Sequence, residues 1–274
     1  VGLQPQANFF LDVFDWDVLH LIPSGAGTTA SPPATLAMWI ELCTVVFPCK
    51  LSLDGLGSTE LMEMSSNLST SRGQLFLGAD AGISCDSQFG CTGVEVLHTD
   101  IICLDNPSSG TVEGPFAIFG AVQLQISNSS VRSCLSSGDG AIIYAEGGAV
   151  LDILHSTFSD SWAAVGGGAI SVNGGLLNIY GSRFYNCSTG AQNADLISGV
   201  ADDQDQGYGG ALTTVGTQVR VIESLFSKCA SSKGGGALSL SGGSILIAFS
   251  RFFQCGSGGD GGAIMSFGGA ALEI

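Results

Sequence analysis

GGALSLSGGSILIAFSRFFQC, residues 235–255, is one unit of a repeat, and its reading decides the fold. Its opening mark, Gly235-Gly236-Ala237-Leu238, returns as Gly167-Gly168-Ala169-Ile170, Gly209-Gly210-Ala211-Leu212 and Gly261-Gly262-Ala263-Ile264. The last two intervals are both 26 residues. Self-similarity at that period marks a stack of equivalent coils rather than a globule around one closed core.

Companion marks travel with the first. An apolar–any–apolar triplet follows, as Leu151-Asp152-Ile153, Leu177-Asn178-Ile179, Val219-Arg220-Val221 and Ile245-Leu246-Ile247, with earlier copies Val94-Glu95-Val96 and Leu124-Gln125-Ile126. A large apolar residue always lies five places after the triplet's end: Ile101, Val131, Phe158, Phe184, Phe226 and Phe252. Cys or a small polar residue comes three places later, at Cys134, Ser161, Cys187, Cys229 and Cys255. The middle of the triplet accepts Asp, Asn, Arg, Glu or Gln and so faces water, while its flanks accept aliphatics and face in. Gly-Gly pairs such as Gly174-Gly175 and Gly242-Gly243 turn the corners.

No unit has room for a crossover helix. Short strands and glycine corners in about 26 residues make one rung of an all-β parallel β-helix. A β-sandwich is the competing architecture, but its hairpins rarely keep so fixed a register. About 7–9 rungs are expected over residues 51–274. Residues 1–50 lack the repeat and are expected to form an irregular cap or docking segment. The sequence stops at Leu272-Glu273-Ile274, inside a triplet, so the solenoid is expected to continue beyond 274 or to be capped by another subunit.

GGA-[Ile/Leu/Val] followed by Phe-x-x-Asn is the repeat of the polymorphic outer-membrane proteins, and residues 90–274 resemble it, with Cys mostly in place of the Asn. Similar repeats occur in large surface proteins of algae and other protists. The resemblance implies a right-handed, pectin-lyase-like β-helix on an extracellular surface, often adhesive.

The charge pattern narrows the partners. Net charge is −16, with only eight Lys plus Arg. Nucleic acid is excluded as an expected partner, because phosphate binding needs basic patches. The apolar run 35–47, interrupted by Glu41, is too short to span a membrane.

Nine Cys point to an oxidising compartment. Cys43/Cys49 and Cys85/Cys91 share a six-residue spacing and are candidates for small disulfide-closed loops. Cys187, Cys229 and Cys255 share one column of the stack and are read as small buried hydrophobes. The sequons at Asn67, Asn128 and Asn186 are candidate glycosylation sites on exposed corners.

One unit is longer than the rest: Ala169 to Ala211 is 42 residues. Insertions leave a solenoid as loops on one face. This one carries Asp202, Asp203 and Asp205, whose carboxylates could hold Ca²⁺, although their spacing matches no EF-hand or RTX loop. His98 and His155 fall in one column with Asn128 between them, too far apart to share a metal. Tyr180, Tyr185, Tyr208 and Trp162 are candidate stacking platforms for glycans.

These features lead to the expectation of a non-enzymatic extracellular structural or adhesive segment of a larger surface or filament-forming glycoprotein. It would contact itself, neighbouring subunits or glycans. The alternative is a β-helix that binds or cleaves polysaccharide. Cleavage is disfavoured because Asp152 and Arg220, in the outward column, lie two rungs apart.

Overall fold

The computed structural model describes residues 114–190 and 207–274 and, before them, residues 10–12, 49–54, 74–77, 83–89, 91–98 and 100–103. The chain winds as a parallel β-solenoid of about six turns. Four sheets run along it, all of their strand pairs parallel. A complete turn visits each sheet once. One example is Ile170–Asn173 in the GGA sheet, Leu176–Tyr180 in the triplet sheet, Arg183–Tyr185 in the Phe sheet and Ser188–Thr189 in a narrow corner sheet.

The stacking register is the one the repeat marks predict. In the GGA sheet Phe116, Ile143, Ile170, Leu212, Leu238 and Ile264 lie over one another. In the triplet sheet the flanks Val94, Leu124, Leu151, Leu177, Val219 and Ile245 form one column. All six are buried. Burying such columns along the whole stack is the main driving force. Each neighbouring coil supplies the hydrogen-bond partners that a lone coil lacks.

The Phe column is a continuous aromatic stack. Phe158, Phe184, Phe226 and Phe252 have successive ring centroids 5.1, 4.7 and 5.0 Å apart, with planes within 8° of parallel. The in-register sheet sets the rings one above another in near-parallel planes, at separations usual for stacked aromatic pairs.

Six turns is fewer than the 7–9 rungs expected. The GGA and Phe sheets each stack seven strands, which span six turns. Seven to nine rungs would need complete coils before residue 74. The strands described there, Phe10–Asp12 and Cys49–Asp54, both extend the triplet sheet alone. Within that extension Leu51 and Leu53 pair with Val94 and Val96, so Leu51-Ser52-Leu53 is a further copy of the triplet.

Two corners are built differently. Between the GGA and triplet strands, glycine pairs such as Gly174 (φ 78°) and Gly175 (φ 90°) make the turn. Between the triplet and Phe strands a serine ladder does so. Ser129, Ser156, Ser182 and Ser224 each donate the hydroxyl to the carbonyl two residues back, at 2.8–2.9 Å. Each hydroxyl oxygen beyond the first also accepts the backbone N–H of the serine one coil earlier: Ser129 N to Ser156 Oγ 3.2 Å, Ser156 N to Ser182 Oγ 3.1 Å, Ser182 N to Ser224 Oγ 3.2 Å and Ser224 N to Ser250 Oγ 3.1 Å. The ladder satisfies amides that would otherwise be buried without a partner.

The long unit departs at one point. A Cβ placed on Gly190 would lie 3.2 Å from the Cα of Gly207, so the chain leaves and rejoins the stack at the same corner. Thr189 stays in register with Ser231, and the coil is undisturbed on either side.

Candidate interaction surface

The outward triplet column joins Glu95, Gln125, Asp152, Asn178, Arg220, Leu246 and Glu273. Asp152 accepts from Gln123 Nε2 at 3.1 Å and from Asn178 Nδ2 at 2.8 Å. These bonds run across neighbouring coils and tie the carboxylate into a lateral polar ladder. Arg220 sits beyond Asn178 and does not reach Asp152 as an ion-pair partner among the described residues.

Asp139 stands at the corner leading into the GGA sheet. Burial pushes its carboxyl up to about 6. Its Oδ1 lies 2.8 Å from where a Cβ on Gly166 would be, so the glycine one coil on makes room for it. Tyr144, on the same side, donates to Glu146 Oε2 at 2.7 Å.

The outer face of the Phe sheet is chemically distinct. Its first outward column holds Asp100, Ser130, Thr157, Arg183, Leu225 and Arg251, and its second holds Arg132, Ser159, Tyr185, Ser227 and Phe253. Lys228 lies in the corner beside it, with its Nζ 2.9 Å from Tyr185 Oη and 5.1 Å from the ring centroid. This contact raises the Lys228 pKa. At the opposite edge His155 meets Tyr180 edge-on at 5.2 Å. Glu223 beside Tyr180 raises the phenol's pKa by hydrogen bonding and by charge.

Two corner columns hold non-glycine residues in the left-handed region. One contains His98, Asn128, His155, Glu223 and Phe249, the other Ser133, Asp160, Asn186, Lys228 and Gln254, with φ between 48° and 62°. Asn is at ease there and a bulky residue is not. Asn128 and Asn186 are both exposed at these corners. Asn186 Nδ2 donates to Asp160 Oδ1 at 2.9 Å.

Of the four candidate platforms, Tyr180 and Tyr185 are exposed and Tyr208 is half-buried. Trp162 is a correction: it is buried, and its indole N–H donates to Gly190 O at 2.9 Å. An aromatic in the two-residue corner strand faces the interior, where it fills the bend.

The cysteines divide into two kinds. Cys103 and Cys134 form a disulfide between neighbouring coils, with Cα atoms 4.9 Å apart. Sequence spacing does not single out this pair, because its partners are 31 residues apart and offset by one position in the stack. Cys187 and Cys229 are buried free thiols, and Cys255 is a half-buried one. Their Sγ atoms lie 3.5–3.8 Å from the carbonyls of Phe158, Phe184 and Phe226 one coil back. The Cys187 and Cys255 thiols, with burial, push the Cys229 thiol well up, so it stays protonated and behaves as an apolar filler.

Cys43, Asn67, Asp202, Asp203 and Asp205 lie outside the described residues, as do the side chains of Cys49, Cys85 and Cys91. The backbone register sets Cys49 opposite Cys91 on adjacent strands. Among the described residues no three His, Cys, Asp or Glu side chains converge as a metal site. No helix of the described residues is long and apolar enough to cross a membrane. No protein family, curated protein or solved structure matches the chain.

Proposed function

We propose that this chain is a non-enzymatic, extracellular structural or adhesive segment of a larger surface or filament-forming glycoprotein, of the polymorphic outer-membrane protein type. The observation that carries the reading is the unbroken register of the stack through the long unit, from Phe116 to Ile264 in the GGA sheet. A coil that repeats so closely makes a rigid element that lengthens by adding units. Heterologous contacts between such elements build filaments when they do not close.

The Cys103–Cys134 disulfide supports an oxidising compartment outside the cytosol. The exposure of Asn128 and Asn186 at sharp corners supports the reading of their sequons as glycan sites. Negative-stain imaging of native material tests the reading, with rods or fibrils expected. Free compact monomers alone would overturn assembly, and turnover of a polysaccharide would overturn the non-enzymatic role.

A further inference from the structure

Half of the chain's cations share one outer face. Of eight Lys plus Arg, Arg132, Arg183 and Arg251 project from the Phe sheet, and Lys228 lies in the corner column beside it. All four are exposed. In a chain of net charge −16 this is a local concentration of positive charge, opposed among the described residues by Asp100 on the face and by Asp160 and Glu223 in the flanking corners.

The face also has a repeat of its own. Arg183-Phe184-Tyr185 and Arg251-Phe252-Phe253 stand in register two coils apart, about 10 Å at the strand spacing. In each, the central Phe points into the aromatic stack, so the arginine and the second ring project outward together. Tyr185, with a coil on either side of it, is 40% exposed. Phe249, in the corner before Arg251-Phe252-Phe253, is held at φ 53°, a costly conformation for a bulky side chain. Arg132 is 4.0 Å from Asp100, whereas Arg183 and Arg251 form no ion pair among the described residues.

We propose that this face binds a sulfated polysaccharide. Exposed rings take the apolar faces of sugars, and guanidinium forks take oxyanions through paired, charge-assisted hydrogen bonds. A sulfate ester keeps its charge at every pH at which these cations act. Two equivalent subsites at a fixed interval suit a polymer that repeats, because the second contact is then intramolecular. Duplex DNA carries one charge per ~1.7 Å, too dense for a chain whose other faces are acidic. The remaining negative charge confines a sparsely charged polyanion to this one side. The proposal deepens the adhesive reading above and rests on it, in that the surface works by contact and not by turnover.

The test is calorimetric titration of the whole chain, at low and at physiological salt, with short dextran sulfate of low substitution, neutral dextran, polygalacturonate and a single-stranded DNA oligomer. Dextran sulfate is expected to bind tightest and to weaken with salt. Arg183→Ala combined with Arg251→Ala should lower that affinity about tenfold or more. Tyr185→Ala with Phe253→Ala should lower it several-fold, and Arg132→Ala should change it little. An unchanged melting temperature confirms that each variant folds, since the side chains are exposed. The proposal is overturned by no binding at low salt, by an unaffected arginine double variant, or by neutral dextran, polygalacturonate or DNA binding as tightly. Loss of binding with rods still visible removes the glycan proposal alone. Shortened dextran sulfate chains would instead remove the non-enzymatic reading.

Discussion

The ring of Phe184 lies 4.7 Å from the ring of Phe226, with their planes 3° apart. Each of the two also stacks on its other side, on Phe158 and Phe252 respectively. Phe226→Ala therefore empties a fully buried site and strips one face from two neighbours. The expected loss is about 3–5 kcal/mol, measured by chemical denaturation. Phe226→Leu keeps an apolar side chain in the column and should lose well under half of that.

Ser182 and Ser231 are both buried serines, and their alanine variants should move stability in opposite directions. Ser182 Oγ accepts the Ser156 amide, so Ser182→Ala leaves a buried N–H unpaired and should cost about 1–3 kcal/mol. Ser231 Oγ is buried without a partner, and Ala163 occupies the same column two coils earlier. Ser231→Ala should be neutral or stabilising by about 1 kcal/mol. Thermal melts of the pair decide it; a Ser182→Ala variant as stable as the parent would show that the ladder bonds contribute nothing.

A methyl group is fatal at one glycine and harmless at another. A Cβ on Gly168 would lie 2.2 Å from Gly210 O and 2.4 Å from Ser188 O, both rigid backbone. Gly168→Ala should prevent folding of the central coils, seen as lost β-signal in circular dichroism. Gly256 follows Ala230 in the corner column and is not in the left-handed region, so a methyl group has a precedent there. Gly256→Ala should stabilise by about 0.4–1 kcal/mol through the unfolded chain.

Asp139 makes stability fall as pH rises. Its folded pKa of about 6 lies above the ordinary 3.8, so between those values the folded state holds a proton that the unfolded state has lost. Its contribution is intact below pH 3.8 and lost as pH passes through about 6. Allowing for partial solvation, the effect is on the order of 2 kcal/mol. Asp139→Asn should remove this slope and be the more stable protein at pH 7. Urea unfolding of both proteins at pH 4 and pH 7 checks it, and parallel pH dependences would refute it.

The inward columns were legible because a constant offset between triplet and Phe across variable spacers leaves only one in-register stacking. The serine ladder had a signal too: Ser129, Ser156, Ser182, Ser224 and Ser250 each stand two places before the large apolar residue. That signal is easily passed over in a Ser-rich chain, because a lone serine at a bend has many uses. The corner sheet had almost none, since its strands are two residues long and show no alternation. For that reason alternation does not reveal Trp162 as an interior residue.

By itself the sequence determined the parallel solenoid, the inward and outward positions and the site of the long unit. All of these follow from period-two alternation and glycine corners, which act over a few residues. Only the tertiary structure decided which distant residues meet. It joined Cys103 to Cys134 across coils and left Cys187 and Cys229 as thiols. It also set Lys228 Nζ 2.9 Å from Tyr185 Oη, 43 residues away in the chain. Coil stacking converts a long separation in sequence into a short one in space, and outward positions carry no core constraint that would reveal the pairing in advance.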